Sequence, residues 1–153
     1  MYCAFLLLRC NNEDVKRLQV IQNRALKIIF NLPSRHPTID IYKTYATNVL
    51  PIVGIIYYSA MLNIKKLMID QNKIFPKVEK TRSNRLEQYK IMPAKSRLLR
   101  DDVYVAGMKL FNDLPNEIKA INNLNSFKAA TKKFLLAKVE SLLNDSQFIL
   151  RKL

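Results

Sequence analysis

A chain of 153 residues is the size of one domain, long enough to bury roughly two-thirds of its unfolded surface. Its 49% hydrophobic content is ordinary for a globular protein, and only two glycines argue for helices over an all-β fold, whose turns draw on glycine. Twenty-six Lys and Arg against twelve Asp and Glu leave a net charge of +14, which opposes compaction and attracts polyanions: nucleic acid, anionic lipid or an acidic protein surface.

Residues 1–10 form an apolar N-terminal stub. It lacks the basic leading segment and small-residue cleavage site of a signal peptide. Cys3 and Cys10, on one helical face, stand about 10 Å apart, too far for a disulfide, and two reduced thiols suit a cytoplasmic or nuclear protein. Residues 11–71 make an N-terminal helical part. Asn11–Asn12 with Glu13 and Asp14 predict a helix start, and the helix ends before Pro33. Leu18, Ile21, Ala25, Ile28, Ile29 and Leu32 recur at helical spacing, predicting an inward stripe. Lys16, Asn23 and Lys27 fall opposite, with Arg17 and Arg24 along one flank. Pro37-Thr38 opens a short helix through Ile41, Tyr42 and Tyr45. From Pro51 a helix to about Asp70 is apolar nearly all round in its first half, which predicts a central buried helix. The apolar run Val49 to Leu62 is fourteen residues, short of the ~20 that span a bilayer, so no membrane insertion is expected.

Residues 72–100 read as a basic, Pro-interrupted connector, with a short extended stretch at Gln88 to Met92. Arg82, Arg85, Arg97 and Arg100 are candidates to track a phosphate backbone, together with Lys16 and Lys27 from the first helix. Tyr89 and Tyr104 either stack on bases or pack into the core; Tyr42, Tyr45, Tyr57 and Tyr58 are expected in the core. Residues 101–144 form a C-terminal helical part: a helix from Val103 to Phe111, a short one with Pro115 at its first position, and a final one capped by Ser126. That last helix carries Phe127, Ala130, Phe134, Ala137 and Leu142 inward. Residues 145–153 are a tail.

Catalytic constellations find little support. Asp101-Asp102 lacks the further carboxylate of a two-metal site and reads better as a helix-capping pair. His36, the sole histidine, has no nucleophile motif beside it, and no Cys/His cluster has zinc spacing. Gly54 and Gly107 alone cannot build a phosphate loop. No catalytic residue, metal, cofactor or small-molecule substrate is expected.

The segment Leu18-Gln19-Val20-Ile21-Gln22-Asn23-Arg24-Ala25-Leu26-Lys27-Ile28-Ile29, followed by Asn31-Leu32-Pro33, resembles part of the C-terminal region of LINE-type (non-LTR) retrotransposon reverse transcriptases. Further matches follow in the expected order. They are Leu50-Pro51-Ile52, Thr81-Arg82-Ser83, Gly107-Met108-Lys109-Leu110-Phe111-Asn112-Asp113-Leu114-Pro115, Ile118-Lys119 and Ser126-Phe127-Lys128. The resemblance spans about residues 15 to 137, with Phe111 where the family often has Trp. It implies a helical region downstream of an RNA-directed DNA polymerase, whose Tyr-x-Asp-Asp metal site has no counterpart here, so that Met1 falls after the catalytic palm. It also implies structural roles for Gln22, Asn23, Arg24, Ala25, Leu26, Gly107, Phe111, Asn112, Leu114, Pro115 and Phe127.

Together these readings predict an all-α domain of four to five helices and a non-catalytic fragment of a reverse transcriptase. Its expected partner is RNA or DNA, bound weakly and without sequence preference. The alternative is a helical protein-interaction module, docking on an upstream polymerase domain or retained by a host, with Ala4 to Leu8 as its exposed apolar patch.

Overall fold

The computed structural model describes residues 4–70, 89 and 103–144, and within them the fold is all-α. A 3-10 helix (Ala4–Arg9) leads into α1 (Asn12–Ile29), and α2 (Thr38–Asp40) runs on into a π-helical turn (Ile41–Tyr45). α3 (Ile52–Asp70) is followed by α4 (Val103–Asn112), α5 (Asn116–Lys119), α6 (Leu124–Ala137) and α7 (Val139–Asn144). Four of these, α1, α3, α4 and α6, are long, in keeping with the expected small helical domain. Asp101-Asp102, the Thr81-Arg82-Ser83 match, most of the basic connector and the tail lie outside the described residues.

The ends of α1 follow from local chemistry. The Asn11 side chain accepts from the Glu13 N–H, and Glu13 and Asp14 occupy the first turn, where the helix dipole favours negative charge. At the other end Asn31 adopts φ 51°. Leu32 N–H then reaches back to Lys27 O at 2.8 Å, and Asn31 N–H to Ile28 O at 3.1 Å. This is the left-handed Schellman stop that asparagine tolerates. Two other boundaries differ from the sequence reading. Asn123, not Ser126, caps α6, accepting from the Asn125 and Ser126 N–H groups. Pro115 stands one residue before α5 as its N-cap rather than at its first position.

α3 is the central element. Val53, Ile56 and Ala60 meet Leu8, Val15, Ala106, Leu135 and Leu142, while Met61 and Ile64 meet Met108, Phe111, Leu114 and Phe127. The N-terminal and C-terminal parts therefore share one core across the connector. The stretch Ile52–Ile69 has the length and apolarity of a membrane span, with a mean hydropathy of 1.4, and here it supplies both clusters. Both glycines sit where helices approach closely. A Cβ on Gly107 would lie 3.2 Å from Ile64 Cγ1, and one on Gly54 would lie 3.2 Å from Leu142 Cδ1.

Three packing expectations are overturned in part. Within the apolar start Leu8 is buried and Leu7 packs beside it, so these two are no part of an exposed patch, whereas Leu6 is exposed. The final helix breaks at Lys138, and Thr131 and Leu135 take its inner side with Phe127, leaving Ala137 exposed. Tyr45 is also exposed, although Tyr42 is buried and Tyr57 and Tyr58 are half-buried.

The largest departure is α1. Most of the stripe read as inward points out: Ile21 is 61% exposed, Ile28 80% and Ile29 70%, Leu18 and Ala25 are also exposed, and only Leu32, beyond the helix end, packs inward. Only Val15 and Leu26 of this helix are buried, and the half-buried Gln19, Gln22 and Asn23 lie on the protein side.

Candidate nucleic-acid interface

The inversion of α1 has a hydrogen-bonding cause. In the turn from Ala46 to Pro51 the tip at Thr47 and Asn48 is exposed but Leu50 and Pro51 are buried, and around Pro51 it presents a carbonyl and an N–H that no helix satisfies. Gln22 Nε2 donates to Leu50 O at 2.9 Å, and Ile52 N–H donates to Gln19 Oε1 at 2.8 Å. Gln19 Nε2 also donates to Tyr42 Oη and to Asn23 Oδ1, both at 2.8 Å. The Tyr42 hydroxyl lies 3.0 Å from both Gln22 Oε1 and Asn23 Oδ1. An aliphatic side chain at position 19 or 22 would leave a buried backbone group unmet, at about 1–3 kcal/mol each. Burial pushes the Tyr42 phenol up to about 12, although the Gln19 hydrogen bond draws it down.

This seat brings the basic flank of α1 against α2. Two adjoining shallow hollows result, of about 520 and 610 Å³. Lys16 lines the first and Arg24 and Lys27 the second; Val20, Asn23 and Thr38 wall both. Lys16 and Lys27, both expected to contact phosphate, thus stand on one groove about 16 Å apart along the helix. Lys16 is exposed, whereas the half-buried Lys27 donates Nζ to Ser34 O, holding its charge at the rim. Arg24 joins them, a residue the sequence reading placed on the flank of this helix and among the motif residues but not among the phosphate contacts. Arg82, Arg85, Arg97 and Arg100 lie outside the described residues.

The motif residues gather into two further groups. Leu26 packs with Ile41, Tyr42, Ala46 and Val139, whereas Ala25 is exposed and takes no part. Phe111, Leu114 and Phe127 form the second cluster with Met108, the Phe111 and Phe127 rings stacking at 6.0 Å. Asn112 holds the one described residue of the connector at both ends: Tyr89 N–H donates to Asn112 Oδ1 at 2.9 Å, and Asn112 Nδ2 donates to Tyr89 O at 3.0 Å. The Tyr89 ring meets Phe111 edge-on. Tyr89 is therefore a packing residue, tied to the domain by a side chain imitating a strand, while Tyr104 is exposed.

Two buried lysines complete this end. Lys65 Nζ donates to Lys119 O at 2.9 Å and lies 5.4 Å from the Phe127 ring centre; Lys119 Nζ donates to Asn112 O at 2.6 Å. Both ammonium groups thus cap carbonyls, and burial pulls the Lys65 amine below its ordinary range. No group of three or more His, Cys, Asp or Glu stands close enough to hold a metal among the described residues. The polar network was not foreseen, although Gln19, Gln22 and Asn23 recur at three and four residues like the apolar stripe beside them. Amides rather than charges on that face were the available signal. Comparison of the chain with protein-family models, curated proteins and solved structures finds no match.

Proposed function

We propose that this chain is a non-catalytic helical segment of a non-LTR retrotransposon reverse transcriptase that grips RNA or DNA electrostatically. The supporting observation is the alignment of Lys16, Arg24 and Lys27 on one groove in a chain of net charge +14. Shallow, open hollows lined by long cations suit a phosphate backbone, whose charge is met without reading bases. The ordered motif matches support the parent family, and the same matches lack a polymerase metal site.

Retention of a single-stranded RNA and of a DNA duplex on the full chain, titrated with salt, tests this. If six phosphates are engaged, affinity falls about 10³-fold between 50 and 200 mM salt. Replacing Lys16, Arg24 and Lys27 together by Gln lowers the slope of log affinity against log salt by about 3. A flat salt response, or an unchanged slope in the triple variant, rules the groove out.

A further inference from the structure

The outward face of α1 carries Leu18, Ile21, Ala25 and Ile28, spaced three, four and three residues apart. That is the seam of a two-helix coiled coil, in which residues alternate at such intervals along one line. All four are exposed, although α1 is held firmly on its other side by the Gln19–Gln22 network. Arg17 and Arg24 precede Leu18 and Ala25 by one residue and therefore flank this seam on the same side, seven apart. In paired helices such positions choose the partner by charge. Arg17 is met only by the exposed Asp14, at 3.7 Å, and Arg24 has no carboxylate partner among the described residues.

We propose that this face docks an amphipathic helix of another protein, one whose apolar seam is flanked by acidic side chains. Charge selects this occupant over a second copy: each copy carries +14, and antiparallel self-pairing sets Arg17 and Arg24 against their counterparts. A lipid surface is also disfavoured, because the exposed aliphatic face of α1, which includes Ile29 beside the seam, has Ala25 near its middle and no aromatic anchor. The contact is short, so binding is weak and reversible.

The probe is a synthetic peptide of about three heptads, with Leu along its seam and Glu at the flanking positions. A twin carries Lys in place of Glu. The full chain binds the acidic peptide and holds the twin at least about tenfold more weakly. Ile21→Ser with Ile28→Ser weakens the acidic peptide about tenfold or more while the helical circular dichroism of the chain is unchanged. Arg17→Glu with Arg24→Glu reverses the preference between the peptides. Equal binding of the twins, or undiminished binding by the Ile21/Ile28 variant, overturns the proposal. So does self-association of the chain through this face, or adsorption to phosphatidylglycerol vesicles without peptide binding. None of these readouts depends on nucleic-acid retention.

Discussion

Helices α1 and α6 are amphipathic by the same spacing and seated in opposite ways. α6 turns Phe127, Thr131 and Leu135 to the core and its lysines Lys132 and Lys133 to water. α1 turns glutamines and an asparagine to the protein and all three of its isoleucines to water. The difference lies in what each helix faces. α6 meets the aromatic and aliphatic side chains of Phe111, Leu114 and Ile64, which ask for apolar contact. α1 meets the buried turn around Pro51, whose carbonyl and N–H ask for hydrogen bonds. A buried backbone group left unmet costs about 1–3 kcal/mol, and the inner face of α1 meets two of them, at Leu50 and Ile52.

The contrast breaks first where the aromatic cluster is cut. Phe111→Ala removes a fully buried ring that touches Phe127 and Tyr89, and we expect a loss of about 3–5 kcal/mol in urea unfolding. Removing one hydroxyl from the α1 network has a smaller effect. Tyr42→Phe removes an acceptor of Gln19 and a donor to Gln22 and Asn23, whose amides keep their bonds to one another, and costs about 1 kcal/mol at neutral pH.

The same variant carries a pH signature. Burial holds the folded phenol up at about 12 against an ordinary 10.0, so folding favours its protonated form. Its contribution is complete below pH 10 and is lost as pH rises through about 12, roughly 2–3 kcal/mol in all. Lys65 acts with the opposite sign: its depressed amine adds stability as pH rises toward 10.5 and nothing beyond. Unfolding measured between pH 9 and about 12 is therefore expected to show a decline that shrinks in Tyr42→Phe.

Two smaller effects sharpen the comparison. Thr131 is fully buried on the inner side of α6, and its hydroxyl finds no partner among the described residues. Thr131→Val then raises stability by about 1 kcal/mol, because a nearly isosteric methyl replaces an unmet polar group. Ile28→Asn, on the outer face of α1, changes stability by less than about 0.5 kcal/mol; a loss near 2 would show that this isoleucine is covered after all.

Much of the fold was legible locally. Asn11 with Glu13 and Asp14, and Asn31 before Pro33, bracket α1 because caps and left-handed stops are short-range chemistry. The all-round apolar start of α3 announced its central place. In the candidate groove, Lys16 and Lys27 could be nominated because charge is visible residue by residue. Arg24 could not be joined to them, since the groove exists only once α2 lies against α1. Asn112 gave no sign of its hold on Tyr89, twenty-three residues away, because a pairing of one side-chain amide with a distant backbone leaves no periodic trace.

By itself the sequence determined the helical class, the ends of α1, the central helix and the strong positive charge, all consequences of interactions within a turn or two or of plain counting. Only the tertiary structure decided which face of α1 looks inward. Helical spacing defines a stripe but not its partner, and the partner here is a proline turn whose polar backbone bonds to the amide face of α1.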